Sequence, residues 1–246
     1  MASSSAPASV LDDYCFREVF NQTLFDLHVW RKKIILEVGF NLNEDEYPQI
    51  KEQITLRGWR RLVAPMTGVS KLLVQEFYAN AAVSDEEVAN AGQLPYKSFV
   101  RGVAVDFSPE NIRRVMRFKA ETLGAETEYR TRQAIDQRLD EEFSIHSLVP
   151  TGNTSEITVA RAILIHSIMR GEEVQVEDII ADNMAVIAQG LQSKGNLSFP
   201  STIYKLYKDA GVPLREFRRT LKIPEEKLIT AEWMESTRIP RNVPPQ

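Results

Sequence analysis

Residues able to do chemistry are plentiful, but few stand in the patterns that chemistry needs. Carboxylates come in runs: Asp12-Asp13, Glu44-Asp45-Glu46, Asp85-Glu86-Glu87, Asp140-Glu141-Glu142, Glu172-Glu173 and Glu177-Asp178. A divalent-metal nuclease brings two or three carboxylates to one point, often from strand ends. Here the runs fall in loops and on polar helix faces, so solvated surface is the expected role. The three histidines, His28, His146 and His166, lie far apart, and none has a His or acid at i+4. His166 is expected as a hydrogen-bonded side chain inside an apolar helix. Thr67-Gly68-Val69-Ser70-Lys71 looks like the end of a phosphate loop but lacks the upstream glycine. No serine stands in a Gly-x-Ser-x-Gly elbow. The single cysteine, Cys15, sits between Tyr14 and Phe16 and reads as a small buried hydrophobe, since a reactive thiolate wants nearby cations and exposure. One cysteine gives no internal disulfide and no cysteine-rich zinc site. The expectation is no catalytic residue, no metal, no cofactor and no enzyme.

Charge offers one further possibility. The chain has 30 basic and 34 acidic residues, a net charge of -4, so nucleic-acid binding would need a local patch. Two segments qualify. Lys97, Arg101, Arg113, Arg114, Arg117 and Lys119 face only Asp106 and Glu110 between Tyr96 and Lys119. Lys205, Lys208, Arg215, Arg218, Arg219 and Lys222 face only Asp209 and Glu216 between Lys205 and Lys222. Arg113, Arg114 and Arg117 are read as sharing one helix side, and Tyr204 and Tyr207 lie beside the second group. If adjoining, the two segments would form a groove for phosphates. The plainer reading is solvated helix faces neutralised by neighbouring acids.

The elements that must position these residues are mostly helices. A short helix is expected over Leu11 to Phe20. A stripe of Leu24, Leu27, His28, Trp30 and Ile34 would follow, although Ile34 to Phe40 could also be extended. Pro48 opens a helix that Gly58 stops. Trp59 to Pro65 reads as a connector. Val69 to Asn80 is strongly helical, with Val69, Leu72, Leu73, Glu76 and Phe77 at core spacing and Asn80 at its end. Ala81 to Pro95 reads as a loop. Ser98 to Phe107 alternates as a strand, with Gly102 marking a bend or bulge. Ser108-Pro109-Glu110 opens a helix carrying Ile112, Val115 and Met116. Residues 126–143 suit an exposed helix, and 157–169 the most apolar one, placed at the centre of the core. Val174 to Val176 could be a short strand. Further helices follow Glu177-Asp178, Phe199-Pro200 and Ile223-Pro224, the second closed by Gly211.

About nine helices and one or two strands give a mainly α domain with a minor β-hairpin or strand pair. At 43% hydrophobic residues the 246-residue chain is too apolar to be disordered. No stretch has the roughly 18 apolar residues of a membrane span, and the N-terminus lacks the basic start and apolar run of a secretory signal. An intracellular protein is expected, nucleus or cytoplasm undecided. Residues 1–10 read as a lead, 11–236 as one domain with two sub-lobes meeting near 120–152, and 237–246 as a Pro-rich tail or the start of a linker.

The order of motifs resembles a known family. Gly58-Trp59-x-x-Leu62, then Leu73-Val74-x-Glu76-Phe77-Tyr78-Ala79-Asn80, then Phe99-Val100-Arg101-Gly102-x-x-Val105 resemble the signature run of the putative plant transposon protein domain. Ala160-Arg161-Ala162-Ile163-Leu164, Ile168-x-x-Gly171, Leu197-x-Phe199-Pro200-Ser201-x-Ile203 and Ala210-Gly211-Val212 continue it. The resemblance spans roughly residues 20–213. It implies a plant protein derived from a mobile element, often the folded front of a longer polypeptide, and it supplies no catalytic set. Tyr78-Ala79-Asn80 and Arg101-Gly102 are expected to mark a structural junction.

Three readings of function follow. The first is a non-enzymatic module that binds an unknown macromolecule or assembles with itself as a homo-oligomer. The second is a sequence-tolerant nucleic-acid binder using the two basic segments. The third, a divalent-metal nuclease, has the least in the sequence behind it. No membrane partner is expected.

Overall fold

A computed structural model describes residues 12–37, 48–64, 68–84, 96–119, 174–213 and 220–221. They are mainly helical, with small antiparallel sheets. The helices are α1 (Val19–Leu24), α2 (Pro48–Leu56), α3 (Arg60–Val63), α4 (Lys71–Ala81), α5 (Pro109–Met116), α6 (Val176–Gln189) and α7 (Pro200–Ala210). A π-helical turn, Phe25–Val29, continues α1. The strands are β1 (Val69–Ser70), β2 (Lys97–Val100), β3 (Val103–Asp106) and β4 (Thr220–Leu221), paired as β1 with β4 and β2 with β3. Expectations for 1–10, 41–46, 85–95, 120–173, 214–219 and 223–246 lie outside the described residues.

The chain divides into two compact units. The first, from Met1–Leu36, Met66–Met116 and Gln175–Lys222, holds α1, α4 to α7 and all four strands. Its axis is α4, with Phe77 at the centre, fully buried against Tyr78, Phe107 and Tyr207 with ring centroids 5.3–6.0 Å apart. Ser70 starts α4 by accepting the Leu73 amide. Ser108 starts α5 in the same way, accepting the Asn111 amide, with Pro109 at the first helical position. Gly211, at φ 80°, closes α7 in the left-handed conformation that lets a helix end tightly. Ile34 forms a parallel bridge to Leu197, and Tyr78 donates its hydroxyl to Ser198 O next to it.

The second unit, from Glu37–Pro65, Arg117–Val174 and Ile223–Gln246, holds α2 and α3. Ile54, Trp59, Leu62 and Phe118 are its described apolar core. Arg57 is fully buried there, donating Nε to Gln53 Oε1 and lying over the Trp59 ring. Gly58, at φ 71°, ends α2; a Cβ there would stand 2.9 Å from Arg117 O and 3.0 Å from Lys119 N.

Several sequence expectations need correction. The first helix begins at Val19, not Leu11, because Asp12 O takes both the Cys15 and Phe16 amides and folds the preceding segment into a turn. Residues 59–65 are not a plain connector, since one helical turn, α3, forms there. Ser98 to Phe107 is two strands: Arg101 and Gly102, at φ 49° and 78°, form the two-residue turn that matches strand twist in a tight hairpin. Val174 to Val176 is not a strand; Val176 opens α6, and Glu177 and Asp178 sit at the positive end of that helix. Arg117 does not continue the side of Arg113 and Arg114, because α5 ends at Met116 and Arg117 takes φ 60°. Asn80 does not end α4, which runs on to Ala81.

Candidate functional site

The residues of chemical interest gather on α4. Every residue from Leu73 to Ala81 is buried. Apolar spacing accounts for Leu73, Val74, Phe77 and Ala81. The same stretch buries Gln75, Glu76, Tyr78 and Asn80, and a buried polar group must find partners or it destabilises the fold. Each of these four reaches off the helix to another segment. Gln75 Nε2 donates to Val29 O and Trp30 O (3.1 and 2.8 Å), closing the end of the π turn. Asn80 Nδ2 donates to Cys15 O and Phe99 O (both 2.8 Å), and Asn80 Oδ1 accepts the Arg17 amide at 2.9 Å. Neighbours answer from the other side. Asn21 Nδ2 donates to Ala79 O and Ala82 O, Ser98 Oγ to Phe77 O, and the Tyr207 hydroxyl to Leu73 O.

Glu76 is the most perturbed carboxylate of the group. Its Oε1 accepts the Arg101 amide at 2.9 Å, and its Oε2 lies 3.0 Å from Arg101 Nε. Burial raises its pKa to about 7; the Arg101 amide and charge pull it back, and Asp12 adds to the rise. A carboxyl titrating near neutrality suits general acid–base work. Here, however, the side chain is 2% exposed and both oxygens face Arg101. A reacting atom would first have to displace the hairpin turn. The pairing instead supports a strained turn: a non-glycine residue in the left-handed region costs about 1–2 kcal/mol, and Arg101 is gripped at amide and guanidinium. Its guanidinium also lies over the Tyr14 ring, 5.7 Å from the centroid. Cys15 is buried beside this junction, and burial and its bond with Asp12 push the thiol up to about 12.

The basic residues named from sequence are placed as follows. Lys97 is exposed at the start of β2, and Arg101 is half-buried at the hairpin turn. Arg113 pairs with Glu177, Nε to Oε1 at 2.6 Å, tying α5 to α6. Arg114 pairs with Asp209, tying α5 to α7. Both pairings raise the arginine's pKa, first through the hydrogen bond to the acid. Arg117 and Lys119 are exposed in the second unit, and Lys119 Nζ donates to Thr55 O. Lys205 is half-buried and Lys208 exposed on α7. Arg215, Arg218, Arg219 and Lys222 lie outside the described residues, as do His146 and His166. Among the described residues no three His, Cys, Asp or Glu side chains come together as a metal site, and no helix is long and apolar enough to cross a membrane.

The model of the putative plant retrotransposon-related domain family matches residues 55–213. The chain belongs to that family. No curated protein and no solved structure matches the chain. The match to the retrotransposon-related domain takes in α4, the β2–β3 hairpin, α5, α6 and α7. Its run from Leu73 to Asn80 and its Arg101-Gly102 pair are the two sides of one junction, joined through Glu76 and Asn80. In the sequence these residues stand far from their partners. The signal was present: a glutamate at a core-spaced position of an apolar helix needs a buried partner. The α1 segment, Val19 to Val29, precedes the matched range of the retrotransposon-related domain, yet it packs on α4 through Asn21 and Gln75.

Proposed function

We propose that this retrotransposon-related domain does no chemistry of its own and acts by binding a macromolecule other than nucleic acid, or its own kind, through its surface. One observation carries the reading: the polar groups of the signature run are used inside the fold. Gln75, Glu76, Tyr78 and Asn80 are each engaged with a neighbouring segment rather than turned toward an opening. The surface has a complementary feature. Of the six large apolar side chains exposed among the described residues, five fall between Tyr14 and Trp30. Arg113 and Arg114 are taken up by acids of α6 and α7, which leaves phosphate binding less to draw on.

The test is direct. The full chain is incubated with single- and double-stranded DNA and RNA, with and without Mg or Mn, and binding is titrated at 50 and 200 mM salt. Neither cleavage nor salt-sensitive binding is expected. Metal-dependent cleavage, or an affinity falling at least about tenfold between the two salt concentrations, would contradict the reading.

A further inference from the structure

The segment after the π turn has an unpaired strand edge. Ile35 N donates to Leu197 O at 2.8 Å, and Lys33 O accepts the Leu197 amide at 2.9 Å, so the chain around Ile34 runs parallel to the α6–α7 loop. In such a pairing the N–H and C=O of the central residue point away from the partner strand. Those of Ile34 therefore face the other edge. Among the described residues they make no hydrogen bond, and neither do the amide and carbonyl of Leu36. Ile34, Ile35 and Leu36 are all half-buried, so an apolar run lies partly open along this edge. The surround is basic. Lys32 Nζ donates to Ser193 O and Gly195 O (2.6 and 3.0 Å), which brings the exposed Lys194 to the segment that carries the exposed Arg31 and Lys33. No acid pairs with Arg31, Lys33 or Lys194 among the described residues. Leu27 to Leu36 and Asn183 to Lys208 contain no Asp or Glu. Glu37 is buried, and the nearest exposed acid in sequence is Asp26, back on the π turn.

We infer that this edge is a docking site for an extended, acidic polypeptide segment of a partner, which adds as a strand beside Ile34 and sets its carboxylates among Arg31, Lys33 and Lys194. The inference rests on the binding reading above and names its partner. Two observations select the occupant. Unpaired main-chain groups at a strand edge are a template for another extended chain, whose backbone completes the ladder and supplies affinity. A nucleic acid has no alternating N–H and C=O groups to offer there. The unpaired cations then fix the sign of the partner's side chains, since complementary charge gives specificity and speeds encounter. Three residues of strand span only about 10 Å, so few ladder bonds can form, each of about 1 kcal/mol net. The docking is therefore weak, and its charged part is screened by salt.

The test is a titration of the full chain with a fluorescein-labelled octapeptide of alternating Glu and Val, followed by anisotropy at low salt, about 50 mM. Saturable binding is expected, with exchange of the Ile34 amide slowed at least about tenfold in the complex. Arg31→Glu, Lys33→Glu and Lys194→Glu are surface changes, and circular dichroism checks that each variant folds. Each is expected to weaken binding at least about threefold, and the three together at least about tenfold. A Lys-Val octapeptide is expected not to bind. The Glu-Val peptide methylated at every backbone nitrogen keeps its charge but cannot donate to a ladder, and it is expected to bind at least about tenfold more weakly. The methylated peptide and the exchange measurement stay decisive even if a variant fails to fold. No saturable binding, equal binding of the methylated peptide, an unchanged Ile34 amide, or indifference to all three charge reversals would each overturn the inference. An oligo(dT) strand that displaces the peptide and is itself weakened by the charge reversals would assign the edge to phosphate and overturn the inference. Failure of the peptide to bind leaves the non-enzymatic reading intact, whereas metal-dependent cleavage removes that reading and leaves the peptide titration unaffected.

Discussion

Glu76 and Asn80 stand one turn apart on α4, and both reach the β2–β3 hairpin: Glu76 takes the amide of Arg101, and Asn80 donates to the carbonyl of Phe99. Asn80 also holds the N-terminal segment, through Cys15 O and the Arg17 amide. Two side chains thus fix a helix, a hairpin and an incoming segment to each other. This is how the run works as a joint.

The pH dependence of stability follows from Glu76. Its folded pKa is raised from 4.5 to about 7 by burial, so between those values the folded state holds a proton that the unfolded state has released. The contribution of this carboxyl is therefore most favourable below about pH 4.5, falls as pH rises, and levels above 7. The full change is about 3 kcal/mol at most. Glu76→Gln removes it. Urea unfolding at pH 5 and pH 8 is expected to show the variant close to wild type at pH 5 and about 2–3 kcal/mol ahead at pH 8. A variant equally destabilised at both values would contradict this.

Asn80→Ala leaves Cys15 O, Phe99 O and the Arg17 amide without their buried partner. A loss of about 3–5 kcal/mol is expected from chemical denaturation, since unsatisfied buried groups cost about 1–3 kcal/mol each and the site can relax in part. Asn80→Asp is expected to do no better, because a carboxylate would face two carbonyl oxygens. A loss below about 1 kcal/mol for the alanine variant would show that Asn80 does not hold the joint.

The two turn glycines are expected to respond unequally to alanine. Gly58 has backbone atoms at 2.9 and 3.0 Å from a built Cβ as well as a left-handed φ of 71°. Gly102 has only the Tyr14 ring at 3.6 and 3.7 Å, an ordinary contact, with φ 78°. Gly102→Ala is expected to cost about 1 kcal/mol, the left-handed penalty alone. Gly58→Ala should cost more than twice that, because backbone must move. Thermal melts of the two variants compare them, and equal shifts would contradict the close approach at Gly58.

Much of the helical plan was legible because its punctuation is local. Pro48, Ser108-Pro109, Pro200 and Gly211 each act within their own turn of chain, and all stand where helices begin or end. The family was legible from the ordered motifs. The partners were not, since they lie up to 95 residues apart in the chain: Asn80 with Cys15, Arg101 with Glu76, Arg114 with Asp209. Local charge counting made a basic patch of α5, whereas the acids answering it come from α6 and α7. The π turn was not legible because the stripe from Leu24 to Trp30 has ordinary helical spacing.

Amide hydrogen exchange at Arg17 and Arg101 tests the joint most directly. Both amides are outside any helix or strand, and each is bonded to a side chain of α4, Arg17 to Asn80 Oδ1 and Arg101 to Glu76 Oε1. Amides at a bend and a hairpin turn would ordinarily exchange fast. In wild type both are expected to be protected to about the level of the α4 core, with Asn80→Ala releasing Arg17 first. Exchange of both amides at free-loop rates in the folded protein would contradict the joint and, with it, the reading of the signature run as structural.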